Sequence, residues 1–136
     1  MRRPARFDVL CSPRALTWIE RVYAEAASGE GGAEGHGFAA TNARYLRRVL
    51  EDFIPTHALD PKFGLGNGLF RAKGARWRVV WAASSAKGTA IVLLVGHRKD
   101  GDRNDVYALL DRILATEEFD DLFAWLGATK PKPRSG

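Results

Sequence analysis

Residues Arg76 to Val95 read RWRVVWAASSAKGTAIVLLV, and their two patterns decide the fold. In Arg76–Ala82 the side chains alternate, with Trp77, Val79 and Trp81 on one side and Arg76, Arg78 and Val80 on the other. That is the period of a strand with one face in the core and one face carrying charge. Thr89–Val95 is apolar on both faces, so it is expected in the middle of a sheet. Just upstream, Leu69–Lys73 is separated from the first of these strands by Gly74 and Ala75. Connections this short imply an antiparallel meander of three strands.

Phe7–Ser12 adds a short first strand. Ser12-Pro13 then has the form of a helix entry, a capping hydroxyl followed by a proline in the first turn. Leu16, Ile19, Val22, Tyr23 and Ala26 recur at helical spacing. Gly29–Gly37 (GEGGAEGHG) is glycine-rich and reads as a loop, with His36 solvated. Neither a preceding strand nor a following Lys-Ser/Thr pair makes it a phosphate-cradling loop. A second helix is expected over Ala39–Phe53, with Leu46, Val49, Leu50, Phe53 and Ile54 inward and Pro55 ending it. Downstream, Val106, Leu109, Leu110, Ile113 and Leu114 mark a third helix. Phe119, Leu122, Phe123 and Leu126 mark a fourth, with Glu117 and Glu118 in its first turn. The order predicts an α+β fold. A small antiparallel sheet of about four strands carries an N-terminal helical hairpin and two C-terminal helices, grouped on one side. One domain is expected over residues 1–127, followed by a polar, basic, disordered tail at 128–136.

The net charge of +5 is unevenly spread. Residues 61–107 hold nine basic and three acidic side chains, whereas residues 108–127 hold one basic and five acidic. A local basic excess is the footprint of a phosphate-backbone partner, and its bland counterpart is a solvated strand face. Nothing in the chain is long and apolar enough to suggest a membrane span. The basic start with no long apolar run reads as a cytoplasmic N-terminus rather than a signal peptide. Cys11, the single cysteine, reads as small core filler.

Counting by twos places Ile91, Leu93, Val95 and His97 on one side of the last strand, and Val92, Leu94, Gly96 and Arg98 on the other. If the tryptophans pack under the helices, Arg71, Lys73, Arg78 and Arg98 gather from three strands on the uncovered face. Tyr107 falls in the first turn of the third helix, after the capping candidates Asp102, Asn104 and Asp105. A helix start favours phosphate, and a tyrosine there is placed to meet a base or ribose. Trp77 and Trp81 are expected in the core, the alternative being that they stack on bases.

The segments LFRAKGARWRVVWAA and AIVLLVGHRKDGDRNDVYALLDRIL, together spanning Leu69–Leu114, resemble the RelE/ParE superfamily of toxins from type II toxin–antitoxin systems. The shared pattern is a basic strand, an aromatic-Arg-Val-aliphatic-aromatic strand, a hydrophobic strand ending in Gly-x-Arg, and a Val-Tyr that opens a helix. The resemblance implies a RelE-like endoribonuclease that cuts mRNA on the ribosome, with a cognate antitoxin as partner and no metal or cofactor. By position, Arg71 and Lys73 resemble the basic pair flanking the scissile phosphate. Arg78 resembles the arginine that stabilises the transition state, Arg98 the one near the leaving oxygen, and Tyr107 the catalytic aromatic. Arg76 and Lys99 would add RNA contacts. His97 is a possible acid–base group, since an imidazole is the ordinary one near neutral pH, but strand parity turns it to the other face. The acidic fourth helix is expected to lie across the basic face. Two alternatives remain: a ParE-like DNA gyrase inhibitor without nuclease activity, and a non-catalytic RNA-binding module.

Overall fold

The computed structural model describes residues 6–28, 41–66, 68–74, 76–99 and 101–131. The expected glycine-rich loop and His36 lie outside these residues. The sheet has five strands in the order β1-β5-β4-β3-β2: β1 Asp8–Cys11, β2 Gly64–Gly66, β3 Leu69–Lys73, β4 Trp77–Ser84 and β5 Thr89–His97. The meander β3-β4-β5 is antiparallel, as the short turns require. Strand β1 runs parallel to β5, pairing Asp8 with Thr89 through Cys11 with Val92, so the sheet is mixed. The fifth strand, β2, is three residues long and rich in glycine, which is why no alternation announced it.

Helix α1 spans Pro13–Ser28. Helix α2 covers residues 41–57 and contains a π-helical stretch, Val49–Phe53, before the α-helical Ile54–His57. Pro55 therefore does not end it. A proline inside a helix lacks an N–H and crowds the carbonyl four residues back, here that of Glu51. The π-turn, closed by Ile54 N–H on Val49 O, widens the helix ahead of the proline. The Glu51 carbonyl then accepts from Arg6 Nη2 at 2.8 Å. On α1 the inward stripe is Ala15, Ile19 and Val22, while Leu16, one helical step around, is 46% exposed. Helix α3 is Val106–Leu114 and α4 is Asp120–Leu126, so the acids of α4's first turn are Asp120 and Asp121, not Glu117 and Glu118.

The helices are not grouped on one side. Helices α1 and α2 cover the face bearing Trp77, Val79, Trp81, Ala72 and Val92. Helices α3 and α4 cover the other face, over Leu69, Val80, Ala82, Ile91, Leu93 and Leu94. Both tryptophans are core residues. Trp81 is fully buried, its Nε1–H bonds Ala58 O at 3.1 Å, and its ring stacks near Phe70. Cys11 is half-buried in the same core, and burial pushes its thiol pKa up, which suits packing rather than nucleophilic chemistry.

Strict alternation fails inside β5. Val80 pairs with Leu94 but Trp81 pairs with Val92, leaving Leu93 as the extra residue of a β-bulge. Leu93 and Leu94 consequently both face α3 and α4, whereas Val92 and Val95 both face α1 and α2. The buried Ser12 hydroxyl donates to the Leu93 carbonyl at 2.6 Å and accepts from Ala15 N–H at 3.1 Å. One side chain thus joins the end of β1, the bulge and the first turn of α1. Ser12→Ala is expected to lower stability by about 1–2 kcal/mol, seen as a lower denaturant midpoint with unchanged slope. A loss under about 0.5 kcal/mol, the scatter expected of an inert surface change, would show that the bulge holds without it.

Candidate functional site

At the end of the second face where β3 finishes and β4 begins, Lys73 is exposed and Arg71 and Arg78 are half-buried. Register places Lys73 opposite Arg78, Arg78 opposite Gly96, and Arg71 opposite Val80. Gly96 leaves a gap in this row. A Cβ there would stand 3.4 Å from the Val106 side chain, at ordinary contact distance, so the start of α3 lies close over this position.

Tyr107 is placed by that approach and by Asp105. The Asp105 carboxylate is buried and accepts three backbone N–H groups: Lys99 at 2.6 Å, Tyr107 at 2.9 Å and Ala108 at 3.4 Å. It ties the end of β5 to the start of α3 across the intervening loop. Of the three expected capping candidates Asp105 is the cap, whereas Asp102 closes a local turn on Asn104 N–H at 2.8 Å. The helix start is therefore not open to phosphate as anticipated, because a carboxylate already holds the N–H groups of Tyr107 and Ala108.

Arg71, Arg98 and Tyr107 come together. Arg71 Nη1 donates to Tyr107 Oη at 3.3 Å, and its guanidinium carbon lies 6.0 Å from the ring centre. The guanidinium carbon of Arg98 lies 5.8 Å from the same ring. Both are at the outer reach of a cation–π contact, about 6 Å. Tyr107 and Arg71 are half-buried and Arg98 is exposed, so the group is open to a ligand on one side.

Arg78 shares the face but is held differently. Its Nη1 donates to Gly74 O at 3.1 Å and Trp77 O at 2.9 Å, the carbonyls of its own turn. Its Nε is buried and makes no hydrogen bond among the described residues. Lys73 is exposed beside it. Arg76 and Lys99 are exposed at the strand ends, with Arg98 N–H bonded to Arg76 O at 2.9 Å. His97 turns to the opposite face, as parity required, and its ring meets Trp18 of α1 edge-on at 6.1 Å. That separates it from Tyr107 by the thickness of the sheet.

Helix α4 does not lie across these cations. It sits over the far end of the sheet, beside Gly68 and Ala83, with Trp125 under Lys87. Lys130 pairs with Asp120 at 2.6 Å, and Glu118, just upstream of the helix, pairs with Arg14 of α1. Residues 128–131 of the expected tail are held there too, with Pro131 buried and Lys130 donating to Thr116 O at 2.9 Å; residues 132–136 lie outside the described residues.

A groove of about 490 Å³ runs from the edge of β3 to α2, lined by Tyr45, Arg48, Lys62, Phe63, Arg71 and Lys73 among others. The sequence signal for it was thin. Arg48 and Tyr45 sit off the apolar stripe of α2, and Lys62 lies in a 3-10 turn, Pro61–Phe63, that no periodicity marked. Among the described residues no three His, Cys, Asp or Glu side chains stand together as a metal site, and no helix is long and apolar enough to cross a membrane.

Asp105→Ala should remove the tether that sets Tyr107. The expected cost is about 1–2 kcal/mol of stability, measured by denaturant titration, with a larger loss of any Tyr107-dependent activity. Asp105→Asn, which keeps an acceptor, should recover part of both.

No protein-family model matches the chain, and no curated protein matches it. Solved structures do. The chain is similar to the RelBE2 toxin–antitoxin complex of Mycobacterium tuberculosis, at 14% identity and TM-score 0.49, over 72% of this chain and 98% of that one. It is similar to the E. coli RelBE complex at 18% identity and TM-score 0.42, over 70% and 99%. It is also similar to the isolated E. coli RelE toxin at 18% identity and TM-score 0.43, over 80% and 99%. At these identities the likeness concerns the path of the chain, and the chemistry has to be argued from the side chains themselves.

Proposed function

We propose that this protein is a toxin of a type II toxin–antitoxin system and an endoribonuclease that cuts mRNA on the ribosome. The observation that carries the reading is Tyr107 held between Arg71 and Arg98 at the open end of the sheet. RNA brings its own nucleophile. The 2′-oxygen attacks the adjacent phosphorus, the bond from phosphorus to the 5′-oxygen breaks, and a 2′,3′-cyclic phosphate and a 5′-hydroxyl result. One proton leaves the 2′-hydroxyl and one reaches the 5′-oxygen. Arg71 and Arg98 are placed to hold the charge that grows on the phosphoryl oxygens. Tyr107 Oη accepts from Arg71 and so has its own O–H to exchange with a reacting oxygen. Lys73, Arg76 and Lys99 add positive charge along the path of the backbone, and Arg78, fixed by two carbonyls, adds a charge that cannot swing.

An antitoxin would be the natural partner, and a cytoplasmic location follows from the substrate. The anchoring of Arg78 to its own turn, with no contact to Tyr107 among the described residues, favours a second reading, a non-catalytic RNA-binding module.

Induced expression of the chain, with mapping of mRNA 5′ ends, tests the proposal. The wild type should arrest growth and generate new ends within coding regions. Arg98→Ala and Tyr107→Phe should each reduce cleavage by roughly 100-fold or more. RNA bound without new ends would establish the binding module. Growth arrest with intact mRNA and lost DNA supercoiling would instead establish a gyrase inhibitor.

A further inference from the structure

The groove between β3 and α2 is a separate feature from the Tyr107 cluster, joined to it through Arg71. Strand β2 pairs only with Leu69 and Phe70, so beyond Phe70 the outer edge of β3 has no strand beside it among the described residues. Arg71 and Lys73 reach the groove from one side of that edge, and Tyr45 and Arg48 reach it from α2. Among the described residues four cations line it, Arg48, Lys62, Arg71 and Lys73, and no carboxylate does. Uncompensated like charges around one cleft favour an anionic occupant. The cleft volume, about 490 Å³, falls in the range of roughly 300–1,000 Å³ typical of ligand sites.

Its aromatics narrow the choice. Tyr45 is 45% exposed, although it is one of the larger apolar surfaces on α2. It meets Trp77 edge-on at 5.6 Å, and Phe63 meets Phe53 edge-on at 4.8 Å. Neither ring is in a face-to-face stack among the described residues. Flat rings beside cations suit unstacked bases on a phosphate backbone, whereas a duplex keeps its bases stacked inward.

We propose that this groove binds single-stranded RNA, with a base against Tyr45 or Phe63 and the flanking phosphates on Arg48, Lys62 and Lys73. The strand would continue from the linkage held at Arg71 and Tyr107, and in that continuity the inference rests on the function proposed above. The groove lengthens the footprint on the substrate and supplies affinity away from the reacting atoms.

The test uses the full chain and a fluorescent 2′-O-methyl oligouridylate, which lacks the 2′-hydroxyl and cannot be cut, titrated by anisotropy over a salt series. Tyr45→Ala should weaken binding by roughly tenfold with the salt slope unchanged. Tyr45→Phe, which keeps the ring, should bind as the wild type does. The double variant Arg48→Ala/Lys62→Ala should flatten the log–log salt slope by about 1.4, two phosphate contacts at roughly 0.7 each. All three positions are exposed, so folding should be unaffected, and circular dichroism checks it. The groove is overturned if these variants bind as tightly as the wild type, or if the wild type does not bind the oligonucleotide. It is also overturned if a polyglutamate peptide displaces the oligonucleotide with equal affinity and equal sensitivity to Tyr45→Ala. The two ideas fail separately. Lost affinity in the groove variants of a protein that never cuts RNA keeps the groove and removes the nuclease. Cleavage by a wild type whose groove variants bind normally does the reverse.

Discussion

A single extra residue in the central strand lets both faces of this sheet be built. A strand's side chains alternate, so a continuous β5 would commit each residue to one side along its whole length. The bulge at Leu93 breaks that commitment. Below it, Ala90 and Val92 pack under α1 and α2; above it, Val95 does. Ile91, Leu93 and Leu94 fill the opposite face against α3 and α4. The Leu93 carbonyl at the bulge lies in the interior, where an unpaired acceptor would cost about 1–3 kcal/mol. The Ser12 hydroxyl removes that cost while capping α1. Two cores and one helix start therefore share one serine.

From the bulge onward, geometry leads to the site. The phase set at Leu94 sends Gly96 to the α3 face, where it lies against Val106. The same phase sends His97 to Trp18, on the face opposite Tyr107. Asp105 then fixes the helix start through three N–H groups and sets Tyr107 against Arg71. The carboxylate has a price for function. It occupies the N–H groups of Tyr107 and Ala108, so this helix start offers neither of them to an outside anion.

Much of this was legible in the chain. Alternation in Arg76–Ala82 gave β4 and the burial of Trp77 and Trp81, and two-sided apolarity gave the central position of β5. The convergence of Arg71, Arg98 and Tyr107 followed from parity and from the Val-Tyr helix start. What was not legible depended on contacts distant in sequence. The bulge at Leu93 leaves no local mark, because leucine, valine and isoleucine fill both sides of the strand. Pro55 reads as a helix stop unless a π-turn precedes it, and the free Glu51 carbonyl finds Arg6, 45 residues away. Strand β2 has no periodicity to read in three residues. The side chosen by α3 and α4 depends on which sheet face still lacks cover, a property of the assembled sheet and not of either helix.

The acidic C-terminal helix shows why charge along the chain is a weak guide to charge in space. Its net negative sequence, following a strongly basic one, suggested that the two would meet. Apolar burial decided otherwise. Phe119, Phe123 and Leu126 are each nearly fully buried, worth about 1.5–3 kcal/mol apiece, whereas exposed ion pairs are worth about 0–1 kcal/mol. The helix goes where the sheet offers an uncovered apolar surface, over Ala82 and Leu69. That is about 13 Å along β4 from Arg78, at roughly 3.3 Å per residue, and beyond the screening length of about 8 Å at physiological salt. Asp120 then pairs with Lys130, and Glu118, just upstream of the helix, with Arg14. The cations at the other end are left without acidic cover from this helix, because the sharing out of apolar surface, and not the attraction of opposite charges, decides where it packs.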